Sequence, residues 1–282
     1  TPCGTLFPYT TLFRSVISRR SRGLSVGINL NVDQVCNFGC VYCQVDRTRP
    51  PTRTDVDLDQ LAVELDTMLG LVTSGELWAD PPFAEVPGDW RRLNDIAFSG
   101  DGEPTACPVF EDACRLAVDV KRRHGLHDVK LAVLTNATLL DRPAVRRGLD
   151  VLHEDRAEIW GKLDAGTEAY FKQVDRCAMP FDCVLANLRN ASIRWGVVIQ
   201  TLLIEMHGEP MGESEITAYV DRLAELVEAG GRIPQVQLHT IARPPTESWV
   251  GPVDHAMLEH VARAIRTRLP GLDVAVYPNT SA

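Results

Sequence analysis

Seven short apolar runs alternate with six helix-like segments along this 282-residue chain, and that alternation constrains the fold more than any other feature. The runs at 24–31, 95–99, 129–135, 158–164, 197–203, 235–240 and 274–277 read as strands. The segments at 58–71, 109–124, 143–152, 167–174 with 181–192, 213–229 and 254–268 read as helices. Starts such as Thr54-Asp55-Val56-Asp57 and ends such as Ala229-Gly230-Gly231 carry helix start and stop chemistry. Alternation at this spacing predicts an α/β fold with a parallel sheet and right-handed crossovers. The stretch 74–94, rich in Pro, Gly and Trp, reads as an inserted loop.

The strand faces choose between an open sheet and a barrel. In the first strand Ser25, Gly27, Asn29 and Asn31 alternate with Val26, Ile28 and Leu30. In the fourth, Glu158, Trp160, Lys162 and Asp164 alternate with Ile159, Gly161 and Leu163. Gln235, Gln237 and His239 alternate with apolar neighbours in the sixth. Parallel strands covered on both faces are continuously apolar. One polar face per strand predicts a curved sheet with apolar backs under helices and a polar inner wall around a ligand. That is a partial (β/α)6-type TIM barrel, whose chemistry sits at the C-terminal ends of the strands.

The run Cys36-Asn37-Phe38-Gly39-Cys40-Val41-Tyr42-Cys43 follows the first strand, where the barrel rule places a functional loop. Three thiolates at C-x3-C-x2-C spacing can close around one face of a cubane iron–sulfur cluster and leave one iron open. An open iron can bind a small molecule and pass it an electron. A Cys3 zinc site is the rival, but zinc motifs favour two separated C-x2-C pairs. The remaining cysteines, Cys3, Cys107, Cys114, Cys177 and Cys183, show no ligand spacing and read as structural thiols. Eight cysteines without a disulfide pattern predict a reducing compartment, the cytoplasm.

Three other loops end strands with polar residues. Phe98-Ser99-Gly100-Asp101-Gly102-Glu103-Pro104-Thr105 joins a tight glycine turn to a carboxylate. In Leu134-Thr135-Asn136-Ala137-Thr138, Asn136 reads either as a ligand contact or as a turn cap. In Trp160-Gly161-Lys162-Leu163-Asp164, Lys162 and Asp164 share a face. They read as a structural ion pair, a ligand contact, or a Schiff-base lysine with its partner. Gln200, Thr201, Gln237, His239 and Arg243 are weaker candidates on later strands. His239 reads first as a satisfied core histidine, and Arg243 as a clamp for a carboxylate.

At the segments 36–47 (CNFGCVYCQVDR), 98–105 (FSGDGEPT) and 162–166 (KLDAG) the chain resembles the radical S-adenosylmethionine (SAM) superfamily. Within it, the likeness is to the branch of the tRNA wybutosine-synthesis enzymes, the 4-demethylwyosine synthases, over about 21–278. The resemblance implies a 4Fe–4S cluster on Cys36, Cys40 and Cys43, and SAM as the second cofactor. It implies that Gly102, Glu103 and Pro104 meet the methionine amino group, that Tyr42 packs on the adenine, and that Asn136 meets the ribose or carboxylate. Lys162 and Asp164 become the candidate catalytic pair. It also implies an electron donor such as flavodoxin or ferredoxin.

Composition narrows the substrate. A net charge of −9 argues against a large nucleic-acid footprint, so a small-molecule or peptide substrate is expected ahead of tRNA. The arginines at 19, 20, 22 and at 47, 49, 53 read as solvated stretches. The alternatives are 4-demethylwyosine synthase-like modification of a tRNA guanosine and a non-catalytic zinc- or Fe–S-bearing binding module. No run nears the ~20 apolar residues of a membrane span, and no signal peptide is visible. Residues 5–15 match the translation of a common short-read sequencing adapter. Residues 1–15 are therefore set aside, and 16–282 is read as a single radical SAM domain.

Overall fold

The computed structural model describes residues 12–18, 22–48, 50–51, 53–80 and 83–279. Most of the adapter-like stretch, together with Cys3, Arg19, Arg20 and Arg49, lies outside the described residues. The strands are β1 (Phe13–Ser18), β2 (Gly23–Ile28), β3 (Leu93–Phe98), β4 (Lys130–Thr135), β5 (Ala157–Lys162), β6 (Val197–Leu202), β7 (Ile204–Met206), β8 (Val236–His239), β9 (Val250–Pro252) and β10 (Val274–Tyr277). The helices are α1 (Leu58–Ser74), α2 (Phe110–Arg123), α3 (Pro143–His153), α4 (Glu168–Val174), α5 (Phe181–Arg194), α6 (Glu213–Glu228) and α7 (His255–Arg268). The chain divides into two compact units. One holds Thr1–Cys36, Pro50–Leu134 and Asp141–Glu158, the other Asn37–Arg49, Thr135–Leu140 and Ile159–Ala282.

In the first unit β2, β3 and β4 lie parallel and in that order. β1 departs from the all-parallel expectation. It pairs antiparallel with β2, from Phe13 opposite Ile28 to Ser18 opposite Gly23, and so covers the edge of β2. Leu12, Phe13 and Ser15 are buried there. α1 starts where Asp57 caps it, its carboxylate accepting from Asp59 N at 2.9 Å and Gln60 N at 3.0 Å. It stops at Gly75, whose φ of 82° only glycine adopts without strain. Leu61, Leu65, Met68 and Leu69 form its buried stripe. Phe98 of β3 meets Phe110 of α2 edge-on at 5.8 Å, and both are buried. The stretch read as a loop contains three 3-10 turns, Glu76–Ala79, Phe83–Glu85 and Gly88–Trp90.

In the second unit β6 pairs in parallel with β5 and with β8, and β10 pairs in parallel with β8. The first two residues of β5 close the first unit. β7 and β9 form a small antiparallel ribbon that the alternation pattern did not reveal. Thr167 caps α4, accepting from Tyr170 N at 3.2 Å, and Asp254 caps α7 through Met257 N at 2.7 Å. Ile159, Val197, Ile199, Val236 and Leu238 are buried on their strands, as are Leu188, Leu223, Val261 and Ile265 on their helices.

The polar strand faces predicted from alternation pair side by side. Ser25 of β2 donates to the Asp95 carboxylate of its register partner on β3. Lys130 of β4 meets Glu158 at 2.9 Å. In the second unit Gln200 donates to Gln237, its partner on β8, at 3.0 Å, and Gln237 donates to Gln235 at 2.8 Å. Among the described residues no helix is long and apolar enough to cross a membrane.

Candidate cofactor site

β2 ends at Ile28, and the chain then turns through two asparagines that face the loop after β3. Both are buried, Asn29 completely and Asn31 to 2% exposure. Asn29 is satisfied at both ends. Its Nδ2 donates to Asp101 Oδ2 at 3.0 Å, and its Oδ1 accepts from Asp101 N and Asn31 N, each at 3.1 Å. Asn31 Nδ2 donates to the Glu103 carbonyl at 3.0 Å and to the Val35 carbonyl at 3.2 Å. The Glu103 N–H donates to the same Val35 carbonyl at 3.3 Å. Two loops distant in sequence are therefore stitched through amide groups.

This stitching explains both glycines of Gly100-Asp101-Gly102. A Cβ at Gly100 would collide with the Asn29 side chain, and one at Gly102 with the Val35 carbonyl and Asn31. The close approach is between the two loops, at positions where sequence alone predicted room for a ligand. Glu103 caps the short turn Pro104–Ala106, its Oε1 accepting from Thr105 N at 3.1 Å and from Thr105 Oγ1 at 2.5 Å. Glu103, Pro104 and Thr105 are all buried.

In the second unit the cysteine loop docks on the end of α4. Gly39 N donates to the Asp175 carbonyl and Val41 N to the Val174 carbonyl, both at 2.9 Å. Cys40 is set against the Asp175 carboxylate, Sγ to Oδ1 at 3.4 Å. Tyr42 donates to Asp164 Oδ2, and Lys162 Nζ lies 3.1 Å from that same oxygen. The ammonium also stands 4.7 Å from the centre of the Tyr42 ring. Asp164 Oδ1 accepts from Leu202 N at 2.8 Å. Structure thus joins three predicted residues, Tyr42, Lys162 and Asp164, to one that sequence reasoning missed. Asp175 follows an ordinary helix end and carries no motif spacing, so nothing in the sequence marked it.

The electrostatics follow from burial. Desolvation, and then the Asp164 charge, push the Asp175 carboxyl well above the usual carboxylate range. Burial, then Asp175, raise the Cys40 thiol. Burial, then Asp164, raise the Tyr42 hydroxyl. For Lys162 burial pulls downward, but the neighbouring acidic groups, Asp164 foremost, outweigh it and leave the pKa raised. Lys162 is held as a charged ammonium, which suits an ion pair or an anion contact better than a nucleophilic amine.

Asn136 sits in the turn after β4 and serves both the turn and the cysteine loop. Its Oδ1 accepts from Thr138 N at 3.1 Å and Thr138 Oγ1 at 2.6 Å, and its Nδ2 donates to Asn37 Oδ1 at 2.7 Å. Asn37 in turn donates to Thr138 Oγ1 at 2.6 Å. Among the weaker candidates, Gln200 and Gln237 bond to each other, and Thr201 donates to the Leu163 carbonyl at 2.8 Å. His239 stacks on Tyr277 at 4.9 Å, and the Arg243 carbonyl accepts from Gln44 at 2.9 Å.

The cysteines fit an iron–sulfur cluster in kind: Cys36, Cys40 and Cys43 are half-buried residues outside any disulfide. Their thiols are engaged separately, Cys40 with Asp175 and Cys43 with Arg47 at 3.0 Å. Among the described residues no three His, Cys, Asp or Glu side chains are gathered as for a metal ion. Beside the Gly-Glu-Pro turn, Asn31 Oδ1 is buried and meets no donor among the described residues.

No protein-family model matches the chain. It is 26% identical over 251 residues to a UPF0026 protein of Methanocaldococcus jannaschii, covering 86% of this chain and 67% of that one. A UPF0026 protein of Helicobacter pylori is 23% identical over 234 residues, covering 83% and 67%. A protein named GTPase Obg, from Brachyspira hyodysenteriae, is 26% identical over 168 residues, 58% of this chain but 20% of its own length. Among solved structures the chain is similar to a radical SAM methyltransferase from Sphaerobacter thermophilus, with a TM-score of 0.58, 15% identity and 93% of this chain against 68% of that one. It is similar to SuiB of Streptococcus suis bound to S-adenosylmethionine (TM-score 0.56, 12% identity, 91% of this chain and 48% of that one). It is also similar to TYW1 with a lysine–pyruvate adduct bound (0.52, 16%, 88% and 74%). These likenesses show the fold: the chain is an α/β partial TIM barrel of the radical SAM kind. The partial barrel expected from the alternating strand faces is the fold found there.

Proposed function

We propose that this chain is a radical SAM enzyme acting on a substrate other than tRNA. The observation that carries the reading is the C-x3-C-x2-C loop after β2 in a fold shared with radical SAM structures. Cys36, Cys40 and Cys43 would hold the 4Fe–4S cluster. Bound there, the cluster would supply one electron for the reductive cleavage of SAM, and SAM would supply the 5′-deoxyadenosyl group that takes hydrogen from the substrate.

The chain's own residues bind and orient. Gly102, Glu103 and Pro104 present backbone toward the methionine end of SAM, held in place by Asn29 and Asn31. Asn136, through Asn37, fixes the start of the cysteine loop, and Asp175 fixes its middle. Tyr42 is immobilised by Asp164, and Lys162 offers a fixed positive charge to an anionic group. Deprotonation of Cys40 against Asp175 is unfavourable until a metal replaces the proton, which ties the thiolate to cluster assembly. An electron donor such as flavodoxin or ferredoxin, and a small-molecule or peptide substrate, complete the proposal. The acidic balance of −9 favours that substrate class over tRNA.

Anaerobic reconstitution with iron and sulfide tests the cofactor assignment. The expected protein binds iron and acid-labile sulfide in equal amount, and Cys40→Ala loses both. A protein that takes up zinc and no iron would instead be the non-catalytic binding module.

A further inference from the structure

The two motif cysteines of the second unit meet side chains of opposite kind. Cys40 Sγ lies 3.4 Å from Oδ1 of the buried Asp175 carboxyl. Cys43, three residues on, meets a cation: Arg47 Nη1 donates to its Sγ at 3.0 Å. The backbone there is held by other groups. The Cys43 carbonyl accepts from Thr246 Oγ1 at 3.2 Å, and the neighbouring Gln44 side chain donates to the Arg243 carbonyl at 2.9 Å. Placement of Cys43 on the segment 243–246 therefore does not depend on the guanidinium, which acts on the sulfur alone.

A guanidinium stays charged at every working pH, and its donors point in a fixed fork. Beside a metal-ligating sulfur its effect has a definite sign. One-electron reduction adds negative charge to an iron–sulfur cluster. A nearby cation, and a hydrogen bond to a ligand sulfur, stabilise that added charge. We propose that Arg47 donates to the Cys43 sulfur in the loaded site and raises the potential at which the cluster takes one electron from its reductant. It is a positioning residue acting through Cys43, and the proposal rests on the radical SAM reading above.

The test is a mediated redox titration of the anaerobically reconstituted protein with dithionite, followed by electron paramagnetic resonance without SAM. Arg47→Met removes the charge and the donors, whereas Arg47→Lys keeps the charge and one donor. Arg47→Met is expected to lower the equilibrium constant for reduction about tenfold, the low end for a hydrogen bond to a charged group because Arg47 is exposed. For one electron that is a shift of about 59 mV to more negative potential. Arg47→Lys should recover most of it, and both variants should bind as much iron and sulfide as wild type. A constant for Arg47→Met within about twofold of wild type would overturn the proposal. So would an equal shift in Arg47→Lys, which marks a disturbed loop rather than a lost charge. If Arg47→Met cannot retain iron, Arg47→Gln is titrated in its place: a fall of about threefold or more supports the proposal, and no fall overturns it. A wild-type protein that takes up zinc and no iron would overturn the radical SAM reading itself, a result distinct from an unchanged potential.

Discussion

Asp164 receives the Tyr42 hydroxyl, the Lys162 ammonium and the Leu202 N–H while almost wholly removed from water. Asp164→Ala would leave a half-buried ammonium and a phenol without their acceptor. The expected loss is about 3 kcal/mol in denaturant unfolding, at the low end for a broken buried pair because Lys162 keeps some solvent. Gly102→Ala forces a Cβ into the Val35 carbonyl. It should cost about 1–3 kcal/mol and weaken SAM binding, because the Glu103 turn moves with it. At this scale the sequence disclosed residues that belong to spaced motifs, such as Cys40, Glu103 and Lys162. It did not disclose Asp175, Asn37 or the division of labour between Asn29 and Asn31. Those roles exist only because segments about 70 to 140 residues apart meet, and no local pattern encodes that meeting.

α2 and α3 are joined by Glu111, which lies 2.8 Å from Arg147 across the helices and 2.9 Å from Arg115 on its own. The Arg147 and Arg115 hydrogen bonds hold the Glu111 pKa below its usual value. A carboxyl whose pKa is lower in the folded state stabilises above its unfolded pKa and loses that contribution as pH falls through the folded one. The stability difference between wild type and Arg147→Leu should therefore be present at pH 7 and shrink as pH drops below the carboxylate range. pH-dependent unfolding of the two proteins checks this. α4 depends instead on Glu215 of α6, which accepts from Gly166 N and Thr167 N and from Thr167 Oγ1 at 2.7 Å. Glu215→Ala leaves the buried Gly166 N–H and the half-buried Thr167 donors without their acceptor and should cost about 1–3 kcal/mol in unfolding free energy. The helices and the parallel strands were legible from period and caps, since each carries its own apolar stripe or run. The β7–β9 ribbon was not, because three residues are too few to show a period. β1 was not, because its first half falls in the segment set aside as translated adapter.

Across the whole molecule, fold class was readable because polar alternation in strands that run parallel has few structural solutions, and a partial barrel is one. The motif residues are distributed between two compact units. Cys36, Asn31 and Glu103 lie in the first, and Cys40, Tyr42, Lys162 and Asp175 in the second. Net charge bears on substrate at the same scale. A chain with 38 acidic and 29 basic residues should bind tRNA weakly at about 150 mM salt. Tight binding with a steep salt slope in filter or fluorescence titrations would favour the 4-demethylwyosine synthase-like reading instead. The most direct measurement of the central claim is made on the reconstituted protein, reduced with dithionite under anaerobic conditions and given SAM. The account predicts 5′-deoxyadenosine by mass spectrometry, abolished in Cys40→Ala. Intact SAM after reduction of a fully loaded protein would contradict it.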